Sequence, residues 1–278
     1  MLAWIIGLTM SAMAGISGRG RDEITRGLDG RRFVTPSELA ANLGISQDRA
    51  AEKLGAWARD GWVRRVRRGL YIGVPVDAPD PVSWSEDALI VADQVWRPCY
   101  FTGWTAARHW GMTEQVFRTT VLKSTTRVRS SNVRLLDHDY LLVHCATEAL
   151  TWGTASEWRD GVRLLMADPA RTVVDVLDRP RLGGGIRHGA EILVGYFEDH
   201  DADSLVAAAE RFGSGSVFKR LGYLAETLSL GDRGLIEACQ ERLTAGVSPL
   251  DPSGPAGGRR IMRWGLRLNV SVTDEGAS

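Results

Sequence analysis

A chain of 278 residues with 44% hydrophobic, 24% charged and 8% aromatic residues has the composition of a globular protein. Disordered and fibrous classes are excluded, and the length suits a small domain joined to a larger one. The 34 basic and 34 acidic residues cancel, which by itself argues against a nucleic-acid partner. The average conceals an asymmetry. Arg19 to Pro75 holds 12 basic and 7 acidic residues, a net of +5, and the rest beyond Pro75 holds 22 and 27, a net of −5. Such a split suggests a basic module beside an acidic one.

The opening "MLAWIIGLTMSAMAGIS" is apolar. It lacks the basic start of a secretory signal and is short of the roughly 20 residues of a membrane span. Residues 1–18 are therefore read as an apolar extension, either an over-extended start or a helix packing on the body. No membrane anchor is expected. Cys99, Cys145 and Cys239 are isolated; they offer no disulfide framework or zinc spacing and fit a reducing cytoplasm, the expected location.

Residues 31–60 carry clear helix punctuation. Thr35 is a good N-cap, Pro36 suits the first helical position, and Glu38 completes a capping box. Leu39 and Leu43 share a face, and Gly44 favours the left-handed conformation that ends a helix. Ser46 caps the next helix, over 47–59, whose buried stripe is Ala50, Leu54, Trp57 and Ala58. Two short helices joined by a tight glycine turn form a helix-turn-helix. Directly afterwards "GWVRRVRRGLYIGVP" reads as two strands, 62–66 and 70–74, turning at Arg68-Gly69. Together these predict a winged helix over 19–77, with a Pro-rich linker over 78–84.

Residues 85–278 are expected to form a larger α+β domain with a mixed sheet and a helical C-terminal part. Ser85 is a candidate cap for a helix to about Val95. "CYFTGW", "TTVLKS", "VRLLDHDYLLVHC" and "VRLLMA" have strand character. Asp168-Pro169 starts a helix, and further helices are expected over 188–197, 202–212, 216–229 and 233–243. "IMRWGLRLNVSV" reads as one closing strand.

An arginine-rich hairpin alone can be an edge blunted by charge against aggregation. The preceding helix-turn-helix favours DNA instead, because in such modules the second helix enters the major groove and flanking elements hold phosphates. The candidate DNA-binding residues are Ser46, Gln47, Arg49 and Lys53 on the second helix, with Arg64, Arg65, Arg67 and Arg68 on the wing. Gln47 suits adenine and Arg49 guanine. Arg67 and Arg68 suit a minor groove or phosphates.

No catalytic, cofactor or metal site is expected. Asp137-His138-Asp139 resembles the paired acids of a nucleotidyltransferase but has no Gly-Ser turn upstream. An acid two residues before a lysine, as in restriction-type nucleases, is absent: Ala51, Val121 and Val217 occupy those positions. "GGGIRHG" lacks the Lys-Ser/Thr ending of a phosphate-binding loop, and the five histidines show no ligand spacing.

Four segments in order, "RRFVTPSELAANLGIS…LGAWARDGWVRRVRRGLYIGVP", "YFTGWTAARHWGM", "ADPARTVVDVLDRP" and "LDPSGPAGGRRIMRWGLRLNV", resemble AbiEi-type antitoxins of abortive-infection toxin–antitoxin pairs. The resemblance runs through nearly everything after residue 20. It implies a transcriptional autorepressor whose winged helix binds inverted repeats in double-stranded DNA of its own promoter. It also implies that the larger domain is an antitoxin against a nucleotidyltransferase-like toxin, a pairing usually grouped as type IV, in which no stable complex is required. An alternative makes the second domain a catalyst acting on the toxin or a nucleotide, with the winged helix as targeting module. A third possibility is a winged helix that makes protein contacts only.

Overall fold

The computed structural model describes residues 18–75, 78 and 84–273. The apolar opening segment, apart from Gly18, and most of the Pro-rich linker lie outside the described residues. Two compact units are present: residues up to Asp87 together with Arg134–Asp137, and Ala88–Val133 together with His138 onward.

The first unit runs α1 (Gly18–Leu28), β1 (Phe33–Val34), α2 (Pro36–Leu43), α3 (Gln47–Arg59), β2 (Val63–Arg67), β3 (Leu70–Gly73). Its strands lie in the order β1-β3-β2, with both pairings antiparallel. The caps form as expected: the Glu38 amide donates to Thr35 Oγ1, and the Glu38 carboxylate accepts from the Thr35 amide at 2.8 Å. Gly44 sits at φ 66° and Gly69 at φ 75°, the left-handed region that glycine enters without a Cβ clash. Val34, Leu39, Ala50, Leu54, Trp57, Val63 and Tyr71 form the core.

Two elements of this unit were not anticipated. α1 has only Ile24 and Leu28 packed against that core, too few apolar positions to show a helical period. It approaches closely because Gly27 has no side chain: a Cβ there would lie 2.6 Å from Leu39 and 2.9 Å from Trp57. β1 is two residues long and exists through its pairing with β3.

The second unit opens with α4 (Ala88–Trp96), β4 (Cys99–Phe101), α5 (Gly103–His109), β5 (Thr119–Ser124), β6 (Asn132–Leu135), β7 (His138–His144), β8 (Thr154–Arg159) and β9 (Val162–Ala167). The six strands form one sheet in the order β6-β7-β5-β4-β9-β8. It is mixed: β5 and β7 are parallel, as are β4 and β9, whereas β4–β5 and β8–β9 are antiparallel. Helices follow: α6 (Pro169–Asp178), α7 (Ile186–Asp199), α8 (Ala202–Phe212), α9 (Gly215–Leu228) and α10 (Arg233–Glu241). A small second sheet closes the unit, made of β10 (Ser248–Pro249), β11 (Arg259–Ile261) and β12 (Leu266–Leu268) in the order β10-β12-β11. The protein is therefore α+β, a winged helix-turn-helix followed by a larger α+β part.

Three local expectations are corrected, and one strand was not expected. Ser85 does not cap a helix: α4 begins at Ala88, and the Ser85 hydroxyl donates to the Leu136 carbonyl at 2.9 Å. "CYFTGW" stops being a strand after Phe101, because Gly103 turns the chain at φ 60° into α5 and lies so close to Leu182 that a Cβ would sit 2.2 Å from its carbonyl oxygen. "TASEWR" forms an unexpected strand, β8, at the sheet edge. The closing strand is a hairpin instead, since Gly265 at φ 58° and a short 3-10 turn over Met262–Trp264 reverse the chain between β11 and β12.

α6 joins the large sheet through buried charge. The Asp175 carboxylate accepts from Lys123 Nζ at 2.7 Å, Arg171 Nε at 3.1 Å, Thr102 Oγ1 at 2.7 Å and Tyr100 Oη at 3.0 Å. The Arg171 guanidinium lies 3.7 Å from the Trp152 ring centre, a cation–π contact.

Candidate nucleic-acid interface

The first turn of α3 presents polar groups because its apolar positions begin at Ala50. Ser46 is the N-cap, its Oγ accepting from the Arg49 amide at 3.4 Å. Gln47, Asp48 and Arg49 are exposed. Two of the expected reading residues, Gln47 and Arg49, thus stand at the N-terminal end of the second helix of the helix-turn-helix. Lys53, one turn further on, is half-buried and forms an ion pair with Glu23 of α1 at 2.9 Å.

The wing divides its four arginines. Arg65, Arg67 and Arg68 are exposed. Arg64 is not: its side chain retains 21% exposure, its Nη1 donates to the Trp84 carbonyl, and its Nη2 lies 3.0 Å from the Asp137 carboxylate. The β2–β3 ladder shifts register between Arg65 and Arg67, the mark of an extra residue in one strand. Val63 and Val66 are both buried, Val63 within the helix-turn-helix core, and Arg65 and Arg67 are exposed on either side of Val66.

The ends of α2 show how firmly the platform is held. Burial pushes the Glu38 carboxyl up, but the Thr35 hydroxyl and amide and the Arg31 guanidinium outweigh burial and leave it below the ordinary carboxylate value. Asn42 Nδ2 donates to the Gly27 carbonyl at 2.8 Å, fastening α2 to α1. Among the described residues, no three His, Cys, Asp or Glu side chains are gathered so as to hold a metal ion. No helix among them is long and apolar enough to cross a membrane.

Three helices with a two-helix turn, a three-stranded sheet and a basic hairpin define a winged helix-turn-helix module, the architecture of DNA-binding regulators. Residues 28–72, which lie in the first unit, match the family described as "Transcriptional regulator, AbiEi antitoxin". This match covers the first of the four segments on which the sequence resemblance rests. Over a wider span the chain is similar to the crystal structure of the RV2827C protein from Mycobacterium tuberculosis. Identity there is 18%, coverage is 88% of this chain and 89% of that one, and the TM-score is 0.61. At that identity the likeness shows a shared fold. A comparison with curated proteins returned no match.

Proposed function

We propose that this protein is a transcriptional autorepressor that binds double-stranded DNA of its own promoter through residues 19–77, and that it acts as the antitoxin of a nucleotidyltransferase-like toxin. The observation that carries the reading is the exposure of Arg65, Arg67 and Arg68 on the wing of a module whose second helix also exposes Gln47 and Arg49. In this reading α3 supplies base contacts from Gln47 and Arg49. The wing and the Ser46 end of α3 hold phosphates. Lys53 joins them only by leaving Glu23.

Mobility-shift titration on the duplex upstream of the protein's own reading frame, against a scrambled duplex, tests the DNA part. The wild-type chain should prefer the upstream duplex, and changing Arg65, Arg67 and Arg68 together to Ala should weaken it by an order of magnitude or more at about 100 mM salt. Equal affinity of the two proteins overturns the wing assignment. Co-expression with the adjacent reading frame tests the antitoxin part, with relief of growth arrest as the supporting result.

A further inference from the structure

The six-stranded sheet ends at β8, which among the described residues pairs with β9 alone. Its six pairs with β9 run in unbroken antiparallel register, from Thr154 opposite Ala167 to Arg159 opposite Val162. The outward amides and carbonyls of such an edge are a template for another strand, and edges are commonly blunted by a bulge, a proline or a repelling charge. β8 has neither bulge nor proline. Its charged side chains, Glu157 and Arg159, are of opposite sign, and between them Trp158 is 70% exposed.

The strand is held in place from its own side. Arg163 of β9 donates to Ser156 Oγ from Nε at 2.9 Å and from Nη2 at 2.7 Å. The half-buried Glu157 carboxylate lies 3.4 Å from His109 Nε2 of α5. These contacts fix β8 against the rest of its unit and leave the Trp158 indole and the Arg159 side chain exposed.

We propose that β8 is an interface between two copies of this chain, which join their sheets edge to edge through an antiparallel β8–β8 pair about a two-fold axis at Trp158. A two-fold axis perpendicular to the sheet keeps every side chain on its own face, so one residue must stand opposite its own copy. Centring the pair on Glu157 opposes like charges, which destabilises it. Centring it on Ser156 puts Arg159 opposite Gly153 and matches no charge. Centring it on Trp158 sets Glu157 opposite Arg159 of the second copy twice over, with the two indoles side by side, and both kinds of pair stabilise a sheet. The strand is therefore complementary to itself in one register, which selects a second copy as the occupant. Such a pair carries two winged helices, as a two-fold-symmetric duplex site requires, but the pairing itself does not rest on the DNA-binding reading.

The test uses the full-length protein without DNA. Sedimentation velocity from about 1 to about 200 µM should show a monomer–dimer equilibrium, since a strand pair buries little area and belongs with the weaker interfaces. Glu157→Arg and Arg159→Glu should each weaken it about tenfold or more, because each sets like charges opposite one another twice, and the double reversal should restore it. Wild-type thermal melts verify folding, and Arg159→Glu leaves the His109 contact intact. Trp158→Cys should give a disulfide-linked dimer on mild oxidation. Ser156→Cys, about 14 Å from its own copy in this register, should stay at the background that the native cysteines give in the wild type. Cross-linking through Ser156→Cys alone, or a dimer indifferent to both charge reversals, overturns the proposal. A chain that stays monomeric throughout also overturns it, and leaves the edge to a strand of a different protein.

Discussion

Arg64 Nη2 lies 3.0 Å from the Asp137 carboxylate, and its Nη1 donates to the Trp84 carbonyl. The other wing arginines, Arg65, Arg67 and Arg68, are exposed. Arg64→Ala is therefore expected to leave the salt slope of DNA binding nearly unchanged. Arg65→Ala, Arg67→Ala and Arg68→Ala should each make it shallower by about 0.9. Salt titration by anisotropy on the four single variants decides the point, and an equal effect of Arg64→Ala would show that it exchanges Asp137 for phosphate.

A second prediction concerns Gly27. A Cβ at that position would meet Leu39 at 2.6 Å and Trp57 at 2.9 Å, and both are core side chains of the helix-turn-helix. Gly27→Ala gains helix propensity on α1 but forces one of those side chains aside, at a cost of about 1–3 kcal/mol. Denaturant unfolding should show a lower midpoint for the first unit, with DNA affinity falling in parallel as α3 loses its support. A neutral or stabilising result would mean that α1 moves away freely.

The cap of α2 yields a third prediction, with a pH sign. The Glu38 carboxyl is held below its ordinary value, so its contribution is present at neutral pH and lost as pH falls through its folded-state value, in the region below about 4.5. Thr35→Ala removes the hydroxyl that caps the helix and accepts from the Glu38 amide, with an expected loss of about 1 kcal/mol. Glu38→Gln should lose less at neutral pH, because an amide oxygen still accepts from the Thr35 amide, and should abolish the acid-side difference from wild type. Thermal melts across pH 3 to 7 would check both, and an acid dependence retained in Glu38→Gln would place its origin elsewhere.

The helix-turn-helix was legible in the sequence because its signals are local. Thr35, Pro36, Glu38, Gly44 and Ser46 each act on the backbone within four residues, and the structure realises every one of them. β1 and α1 were not legible, because β1 depends on a partner strand nearly forty positions away, Phe33 pairing with Ile72, and α1 on a glycine contact. The candidate site was legible in its residue types and not in their availability. Arg64 and Lys53 are both cations at the expected places, and their partners Asp137 and Glu23 come from elements that no spacing rule connects to them. The Asp175 cluster was hidden for the same reason, since Tyr100, Lys123 and Arg171 meet it only through sheet register and helix packing.

That cluster supplies the last prediction. Burial pushes the Asp175 carboxyl up, but Lys123 and Arg171 together overcome it and hold the group below its ordinary value. It stands as one negative charge against two positive ones, all three side chains at most 6% exposed. Asp175→Asn would leave both cations buried without a counter-charge, and the expected loss is about 3–5 kcal/mol, which in a unit of this size lowers the melting temperature by about 10 °C or more. Lys123→Met should be milder, because Arg171 and Asp175 remain as a balanced pair and the methionine fills the space against Phe212 with an apolar stem. Since the Asp175 pKa is depressed on folding, the wild-type advantage over Asp175→Asn is present at neutral pH and shrinks as pH falls below about 4, where the unfolded carboxyl takes up its proton before the folded one does. Melting curves of the three proteins at neutral and acid pH measure this, and a Lys123→Met loss as large as that of Asp175→Asn would refute the charge-balance account.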